Sequence, residues 1–368
     1  MKIVLDDKIP YVSGPLQLLR EALAARGETL EAVALGGSAI DAAVVRDADI
    51  LLVRTRTRCD AALLEHSRVR LVVTATIGYD HLDTSWLDAA GIAWTNCPGC
   101  NATSVAQYVV ACLTVLEQER GLCLADATVG VVGVGHVGKA VVAALHAAGV
   151  GRVLLNDPPR AEAEGCAAFV SLAELLAASD VVTLHTPLTL HGRHATYHLI
   201  GSEALRLLPR RDGGVVLVNA ARGGVVDETA LLRAMDAGTV GAAVIDTWEG
   251  EPAINGELLR RAFIATPHIA GYSADGKANA TRMSFEAVAG YLGLQVAFDV
   301  QPPAQTNAYG TAASSGIAVA PTTAPAATLP RPGSILWHYD PRHDSTLLKR
   351  DASGFEWQRG HYPLRREA

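Results

Sequence analysis

The sequence predicts an α/β protein built on a doubly wound parallel sheet, with an additional N-terminal α/β region, a flexible linker and a short C-terminal tail. Six β-rich runs alternate with helical patterns between residues 128 and 266, and a glycine-rich turn separates the first run from the first helix. Such alternation indicates parallel strands with helices on both faces of the sheet. The 368 residues also exceed what one core comfortably holds, so we expect at least two domains.

The elements of this central region are short. The predicted strands are Thr128–Gly133, Val153–Asp157, Val181–Thr186, Val215–Asn219, Ala242–Asp246 and Phe263–Thr266. The helical patterns are Val137–Ala148, Leu172–Ala178, Ser202–Leu208 and Glu228–Ala237.

Residues 1–97 show the same alternation. Their predicted strands are Lys2–Leu5, Ile50–Val53, Leu71–Thr74 and Ile92–Trp94, and their predicted helices are Pro15–Ala25, Ala61–His66 and Thr84–Ala90. A further helix begins at Ala102, where Ser104 and Gln107 have the spacing of a capping box.

The C-terminal third changes character twice. Helical signals run from Asp275 to Leu292, and residues 296–333 then form a linker rich in Pro, Ala and Thr. Residues 334–368 hold five aromatic side chains among charges, and we expect this tail to dock on the body or on a second subunit.

Composition excludes several classes of function. A formal net charge of −7 argues against broad binding of nucleic acid or of anionic membranes. The start, MKIVLDD, lacks the apolar region of a secretory signal, and no stretch is apolar enough to span a bilayer. We therefore expect a cytoplasmic protein.

Cys97 and Cys100 form a C-x-x-C pair that needs an explanation. A zinc site would require a second Cys or His pair at suitable spacing, and the sequence offers none, so no metal site is predicted. A redox pair and two small packed residues both remain compatible with the residues alone.

The segment "TVGVVGVGHVGKAVVAALHAAGVGRVLLNDPPR" contains G-x-G-x-x-G at Gly133, Gly135 and Gly138. A strand precedes it, a helix follows, and Asp157 comes nineteen residues after the last glycine, which is the pattern of a dinucleotide site. Amides at the helix start, at His136 and Val137, would bind the pyrophosphate. Asp157 would bind the ribose hydroxyls and repel a 2′-phosphate, which favours NAD over NADP. A glycine turn without a ligand is the alternative.

Polar residues gather at the carboxyl ends of the predicted strands, where such sheets bind ligands. They are Asp157, Thr186, Arg222, Asp246 and His268. The fork of Arg222 suits a carboxylate, His268 suits acid–base chemistry, and Glu251 could orient that histidine. Each alone could be structural. Beside an NAD site they together predict oxidation of a 2-hydroxy acid to a 2-oxo acid.

Five motifs in order resemble the D-2-hydroxyacid dehydrogenase family: "VGVVGVGHVGKAV", "LHTPLT", "LVNAARGGVVDETALL", "AVIDTWEGEP" and "TPHIAGYS". The resemblance implies two Rossmann-like domains, with residues 98–269 binding NAD and residues 1–97, completed by 270–295, forming the substrate domain. It also implies that Arg222, Glu251 and His268 are catalytic, with His268 accepting the hydroxyl proton, and that Thr186, Asp246 and Gly271 contact the cofactor.

Within that family, "TATIGYDHLD", "PGCNA", "NDPPR" and "YDPRHDSTLLKR" resemble the erythronate-4-phosphate dehydrogenase branch. This implies a homodimer that oxidises 4-phospho-D-erythronate to 2-oxo-3-hydroxy-4-phosphobutanoate during pyridoxal 5′-phosphate biosynthesis. It also implies that PGCN is a loop crossing between domains, in which Cys100 is a packed small residue. The linker and short tail depart from the folded C-terminal dimerisation domain of that branch.

A phosphorylated substrate needs a cation. In "RTRTR" an extended chain would put three arginines on one face, and Arg54 is the first choice, against the alternative of a solvated basic edge. The resemblance adds Thr55, Thr76 and Tyr272 as substrate contacts. A phosphoglycerate or hydroxypyruvate dehydrogenase, or an NAD-sensing interaction protein on the same fold, are the rival interpretations.

Overall fold

The computed structural model describes residues 1–165, 168–303 and 334–367. They form two compact units. The first comprises Met1–Asn101 with residues 273–303, and the second comprises Ala102–Tyr272 with residues 334–367. Among these residues no helix combines the length and the apolar character that a bilayer crossing requires.

The first unit is a five-stranded parallel sheet with strand order β2-β1-β3-β4-β5. Its strands are β1 (Lys2–Asp6), β2 (Glu31–Leu35), β3 (Ile50–Val53), β4 (Leu71–Thr74) and β5 (Ala93–Thr95). Its helices are α1 (Ser13–Ala24), α2 (Ala42–Val45), α3 (Ala61–Leu64), α4 (Thr84–Ala89) and, from the C-terminal third, α12 (Ala274–Tyr291). The strand order reverses between β1 and β3, which makes their carboxyl ends the switch point of this sheet.

Both faces of this sheet are covered, as doubly wound packing requires. Ile3 and Leu5 pack in one apolar cluster, whereas Val4 between them packs in another. Strand β2 was not predicted, because its sequence EAVAL is half-exposed and carries a weak apolar signal. Phe298 and Val300, at the start of the predicted linker, are buried in the core of this unit, and residues 304–333 lie outside the described part of the chain.

The second unit is a six-stranded parallel sheet with strand order β11-β10-β9-β8-β6-β7. Its strands are β6 (Thr128–Val132), β7 (Arg152–Asn156), β8 (Val181–Leu184), β9 (Val215–Asn219), β10 (Val240–Ile245) and β11 (Ile264–Ala265). Its helices are α5 (Ala102–Arg120), α6 (His136–Ala147), α7 (Pro158–Glu164), α8 (Leu172–Ala178), α9 (Ser202–Arg206), α10 (Glu228–Asp236) and α11 (Gly256–Arg261). The predicted fold class of two Rossmann-like parallel-sheet domains is confirmed.

The predicted capping box at the start of α5 is wrong. The helix begins at Ala102, so Ser104 already lies inside its first turn. The hydroxyl of Ser104 donates to the carbonyl oxygen of Ala270 at 2.9 Å, and the side chain of Gln107 bonds to residues of the C-terminal segment. The side chains of Ser104 and Gln107 therefore bond to residues distant in sequence and not to the backbone at the helix start.

The C-terminal segment, residues 334–367, packs on the second unit. It contains α13 (Ile335–His338), α14 (Pro341–Arg350) and α15 (Phe355–Gly360). Leu336 and Leu348 enter its two apolar clusters. At the sheet edge, the amide of Ala265 in β11 donates to the hydroxyl of Ser345 at 3.0 Å, so α14 covers an edge strand that would otherwise expose its backbone.

Candidate active site

The glycine loop lies between β6 and α6, at the switch point of the second sheet. Gly133 has φ +85°, and a Cβ there would come within 2.7 Å of the His185 backbone. A Cβ on Gly138 would lie 2.1 Å from the carbonyl oxygen of Gly133. A Cβ on Gly135 would meet nothing within 4 Å, so the chain leaves open space there. Two glycines therefore permit the tight turn, and the third leaves room for close approach of a pyrophosphate.

Asp157 follows β7 and belongs to the same loop system. Its Oδ2 accepts from the amide of Val134 at 2.8 Å and its Oδ1 from the amide of Arg160 at 3.1 Å, so it caps α7. The guanidinium of Arg160 is bound in bidentate fashion by Glu164, at 2.7 and 2.6 Å, and donates to the carbonyl oxygen of Val134. The guanidinium of Arg160 is thus already paired, which leaves the Asp157 carboxylate to determine the charge where the sequence predicts the ribose.

A cavity of about 690 Å³ opens beside this loop, lined among others by Gly133, Asp157, Val170 and Thr186. The hydroxyl of Thr186 is buried and has no hydrogen-bond partner within the described residues. A buried hydroxyl without a partner is unfavourable unless a ligand supplies one. The open Gly135, the carboxylate of Asp157 and this hydroxyl together fit an NAD molecule.

His185, next to Thr186, was not singled out from the sequence. Its Nε2 lies 2.9 Å from the hydroxyl of Thr183, and its buried Nδ1 has no partner among the described residues. Burial lowers the pKa of His185 to about 3, so the ring is neutral near pH 7.

Glu251 and His268 form a hydrogen-bonded pair. Nδ1 of His268 lies 2.8 Å from Oε2 and 3.1 Å from Oε1 of Glu251. Burial disfavours the charged carboxylate, but the bond from His268 and the amide of Trp248 at 2.9 Å outweigh it, so the pKa of Glu251 lies below its usual value. An ionised carboxylate only accepts hydrogen bonds, so Nδ1 carries a proton, and in the neutral form of the ring Nε2 is the acceptor. This is the geometry of a base with its orienting partner.

Three loops at the carboxyl ends of β9, β10 and β11 are tied together through Trp248. A Cβ on Gly223, directly after Arg222, would lie 1.9 Å from the carbonyl oxygen of Trp248, so only glycine allows this approach. The indole nitrogen of Trp248 donates to the carbonyl oxygen of Thr266 at 2.9 Å. The loops of Arg222, Glu251 and His268 therefore hold one fixed arrangement.

The Arg222 side chain is half-buried, and its Nη1 donates to the carbonyl oxygen of Ala221 at 2.9 Å. Asp246 is almost fully buried and accepts from the hydroxyl of Thr266 at 2.7 Å and from the amides of Ile269 and Ala270. Burial raises the pKa of Asp246. This carboxylate thus organises the backbone that carries His268, in addition to its predicted cofactor role.

Tyr272 lies at the end of the turn after His268, which contains Gly271 and is closed by a bond from the amide of Tyr272 to the carbonyl oxygen of Ile269 at 2.8 Å. Its hydroxyl accepts from Nε of Arg359, in the C-terminal segment, at 3.2 Å. Arg359 was not found from the sequence, because no local pattern distinguishes it from the other tail arginines.

A second group missed from the sequence surrounds Glu249. Its amide donates to Glu228 at 2.8 Å, and its carboxylate lies 3.0 Å from Nε2 of His198. The ring of His198 stacks on Tyr197 with centroids 4.0 Å apart. These contacts join the end of β10 to the segment before α9, which are far apart in sequence.

In the first unit, Arg54 and Thr76 lie at the carboxyl ends of β3 and β4. Nη1 of Arg54 donates to the carbonyl oxygen of Lys8 at 3.2 Å, beside the switch point of that sheet. The hydroxyl of Thr76 donates to the carbonyl oxygen of Gly78 at 2.7 Å, and Thr55 is exposed. The RTRTR segment is not extended: residues 54–57 form a turn, closed by the Thr57 amide and the Arg54 carbonyl oxygen at 3.3 Å.

The C-x-x-C cysteines are buried in the apolar core of the first unit. Sγ of Cys97 lies 3.4 Å from the hydroxyl of Ser284, and burial raises the pKa of Cys97 to about 11. Such a thiol stays protonated near neutral pH, which favours packing over redox chemistry. Across residues 1–165, 168–303 and 334–367 no cluster of three or more His, Cys, Asp or Glu side chains could hold a metal ion.

Comparison with known proteins identifies the family. Residues 107–270 match the family described as D-isomer specific 2-hydroxyacid dehydrogenase, NAD binding domain. The erythronate-4-phosphate dehydrogenase of Bacteroides fragilis is 43% identical over 100% of this chain and 97% of its own length. That of Edwardsiella ictaluri is 44% identical over 100% of this chain and 93% of its own.

A solved structure agrees. NAD⁺-bound 3-phosphoglycerate dehydrogenase from Entamoeba histolytica superposes with a TM-score of 0.64 at 26% identity, covering 80% of this chain and 95% of that one. The chain is therefore an NAD-dependent D-2-hydroxyacid dehydrogenase, and it belongs to the erythronate-4-phosphate dehydrogenase family.

Proposed function

We propose that this enzyme oxidises 4-phospho-D-erythronate at C2 to 2-oxo-3-hydroxy-4-phosphobutanoate, a step of pyridoxal 5′-phosphate biosynthesis. The observation that carries the proposal is the Glu251–His268 pair, with Nδ1 2.8 Å from Oε2, in a chain whose full-length relatives bear the name erythronate-4-phosphate dehydrogenase.

His268 is the acid–base group of the proposed reaction. Its Nε2 takes the proton of the substrate hydroxyl while C2 loses a hydride, so the C–O bond becomes a carbonyl. Glu251 holds Nδ1–H and stabilises the imidazolium that forms, at 2.8 Å. The bound NAD supplies the acceptor for the hydride. In the reverse direction the same imidazolium returns the proton.

Arg222 is proposed to bind the substrate carboxylate. Its guanidinium fork can donate two parallel hydrogen bonds, and the close packing of Gly223 on Trp248 fixes the loop that carries it. Binding the carboxylate orients C2 and its hydroxyl toward His268. NAD is proposed to contact His136, Val137, Asp157, Thr186, Asp246 and Gly271.

The first unit is proposed to be the substrate domain, with Arg54, Thr55 and Thr76 recognising the substrate together with Tyr272. Arg54 supports this placement, because it follows β3 at a switch point and makes one hydrogen bond within the described residues, to Lys8 at 3.2 Å. Its remaining donors could bind a phosphate.

We further propose a cytoplasmic homodimer, as the family resemblance implies. The C-terminal segment exposes Trp357 at 61% and Leu347 at 39% of their surfaces, which suits a subunit contact. Light scattering of the purified chain tests the dimer, and a monomer at micromolar concentration would contradict it.

The substrate is tested by NADH formation with 4-phospho-D-erythronate, D-erythronate, 3-phospho-D-glycerate and D-lactate. The proposal expects the highest kcat/KM with the first compound. Preference for 3-phospho-D-glycerate would instead support the phosphoglycerate type, and NADH binding without turnover of any compound would support an NAD-sensing protein.

A further inference from the structure

The C-terminal segment reaches the catalytic pair through Arg359 in α15. Nη1 of Arg359 lies 3.7 Å from Oε2 of Glu251, the oxygen that forms the shorter contact with His268. Nε of Arg359 donates to the hydroxyl of Tyr272 at 3.2 Å. One guanidinium thus contacts a proposed catalytic residue and a proposed substrate residue of the same unit.

Arg359 is held in place by Tyr272, but some of its hydrogen-bond donors have no acceptor within the described residues. Its side chain is 20% exposed, and its only other charged neighbour among the described residues is Glu356, at 3.9 Å. Its two terminal nitrogens form no hydrogen bond within the described residues. The 3.7 Å between Nη1 and Oε2 of Glu251 is an ion-pair distance that is too long for a hydrogen bond. A largely buried guanidinium is unfavourable without a compensating anion, and Glu251 is the nearest one.

Arg365 explains why the segment lies here. Its guanidinium is buried and donates to the carbonyl oxygens of Ile269 at 3.2 Å and Tyr272 at 3.1 Å, on the turn that follows His268. It also donates to Gln107 and Ser104 of α5. These contacts fix the segment against the catalytic loop, and α15 is carried with it.

We propose that Arg359 is a positioning residue of the active site, which holds the Glu251 carboxylate in the orientation that fixes the Nδ1–H form of His268. This rests on the proposed roles of Glu251 and His268. The amide of Trp248 anchors only Oε1 of Glu251, at 2.9 Å. Without a cation beside Oε2, the carboxylate can rotate about the bond between Oε1 and the Trp248 amide. Oε2 then moves away from Nδ1 of His268, and the 2.8 Å contact is lost.

The test is a double-mutant cycle between Arg359→Met and Glu251→Gln, measured as kcat and KM with NAD and the proposed substrate. We expect Arg359→Met to lower kcat by about 5- to 50-fold, which lies within the roughly 2- to 160-fold effect of pairwise coupling between contacting residues. NADH affinity, read by fluorescence, should stay within about two-fold of wild type, and Arg359→Lys should recover part of kcat because it keeps the charge. In the Glu251→Gln background, Arg359→Met should change kcat by less than about two-fold.

Arg350→Met is the matched control, since Arg350 is an exposed arginine of the same segment. Equal losses from Arg359→Met in both backgrounds, or an equal loss from Arg350→Met, overturn the inference, because either means a general effect on the segment. If Arg359→Met lowers the unfolding temperature strongly, the same cycle with Arg359→Gln, which keeps a polar side chain and removes the charge, decides.

A wrong assignment of the substrate would give a different experimental result. Wild-type enzyme would then prefer another 2-hydroxy acid, and the cycle is read with that compound. A wild-type chain that oxidises no 2-hydroxy acid contradicts both proposals, because Arg359 would have no catalytic pair to position.

Discussion

Nδ1 of His268 lies 2.8 Å from Oε2 of Glu251, although the two residues belong to loops that follow different strands. The His268 backbone has φ +57°, in the left-handed region that side chains rarely adopt, and its amide donates to the carbonyl oxygen of Asp246 at 2.8 Å. Backbone strain of this kind is typical of functional sites, where surrounding bonds hold an unfavourable conformation. The hydrogen bonds of this loop thus fix the orientation of the His268 imidazole.

Replacing His268 with alanine should lower kcat by roughly 10²- to 10⁴-fold, the usual contribution of a general acid–base group. NADH affinity should change little, because the glycine loop and Asp157 are intact. Steady-state kinetics and NADH fluorescence titration check both parts. Near-normal turnover by His268→Ala would sink the proposed mechanism.

Glu251 should make stability depend on acidity. Its folded-state pKa is depressed below 4.5, so the ionised form stabilises the fold above that pH, and this contribution is lost as pH falls through the lower folded value. The difference in urea midpoint between wild type and Glu251→Gln should therefore be constant near neutral pH and narrow below about pH 4.5. A difference that widens with acid would contradict the assignment.

Asp157→Asn should narrow the preference for NAD over NADP. The asparagine side chain keeps one acceptor oxygen, which can bind the amide of either Val134 or Arg160, and it removes the charge that repels a 2′-phosphate. Loss of one such repulsion at about 5 Å should raise the NADP/NAD ratio of kcat/KM by roughly ten-fold. Arg160 should not add to this while Glu164 holds it, so Asp157→Asn with Glu164→Gln is expected to raise the ratio further. An unchanged ratio in both variants would mean that Asp157 lies away from the ribose.

Thr186→Val should separate cofactor binding from stability. The Thr186 hydroxyl is buried without a partner among the described residues, so removing it should leave the ligand-free protein equally stable or slightly more stable. NAD affinity should fall by about 2- to 12-fold, the value of one hydrogen bond. Thr183→Val is the matched control, because its hydroxyl bonds His185 at 2.9 Å and its loss should lower stability. Calorimetry and thermal unfolding read the two effects; unchanged NAD affinity in Thr186→Val would remove Thr186 from the site.

The sequence predicted structure correctly where the residues of one short segment are enough to determine its conformation. Buried parallel strands such as Val181–Leu184 are continuous apolar runs, and the residues directly after them, such as Thr186, must lie at one sheet edge. The capping role of Ser104 and the extended conformation of RTRTR were wrong, because spacing alone shows neither where the helix begins nor where the chain turns. Arg359 and Arg365 could not be found at all, since their partners are tens of residues away and only the docked tail brings them together.

The phosphate group of the proposed substrate needs a cation of its own. A substrate with a carboxylate at one end and a phosphate at the other needs two cationic contacts. Arg222 is proposed to bind the carboxylate, so a second cation must bind the phosphate. Arg58 pairs with Asp60 at 2.8 Å, and Arg342 pairs with Asp340 and Glu119, so these cations are already neutralised. Arg54 has a single hydrogen bond within the described residues, to the carbonyl oxygen of Lys8.

Arg54→Ala should therefore reduce kcat/KM for 4-phospho-D-erythronate by about ten- to a hundred-fold, the value of a charge-assisted bond of roughly 1.5–3 kcal/mol. With D-erythronate, which lacks the phosphate, the same variant should lose less than about two-fold. Arg58→Ala is the control from the same turn and should affect both substrates little, because its guanidinium is held by Asp60. Equal losses on both substrates from Arg54→Ala would make Arg54 a structural residue and would assign the phosphate to another cation.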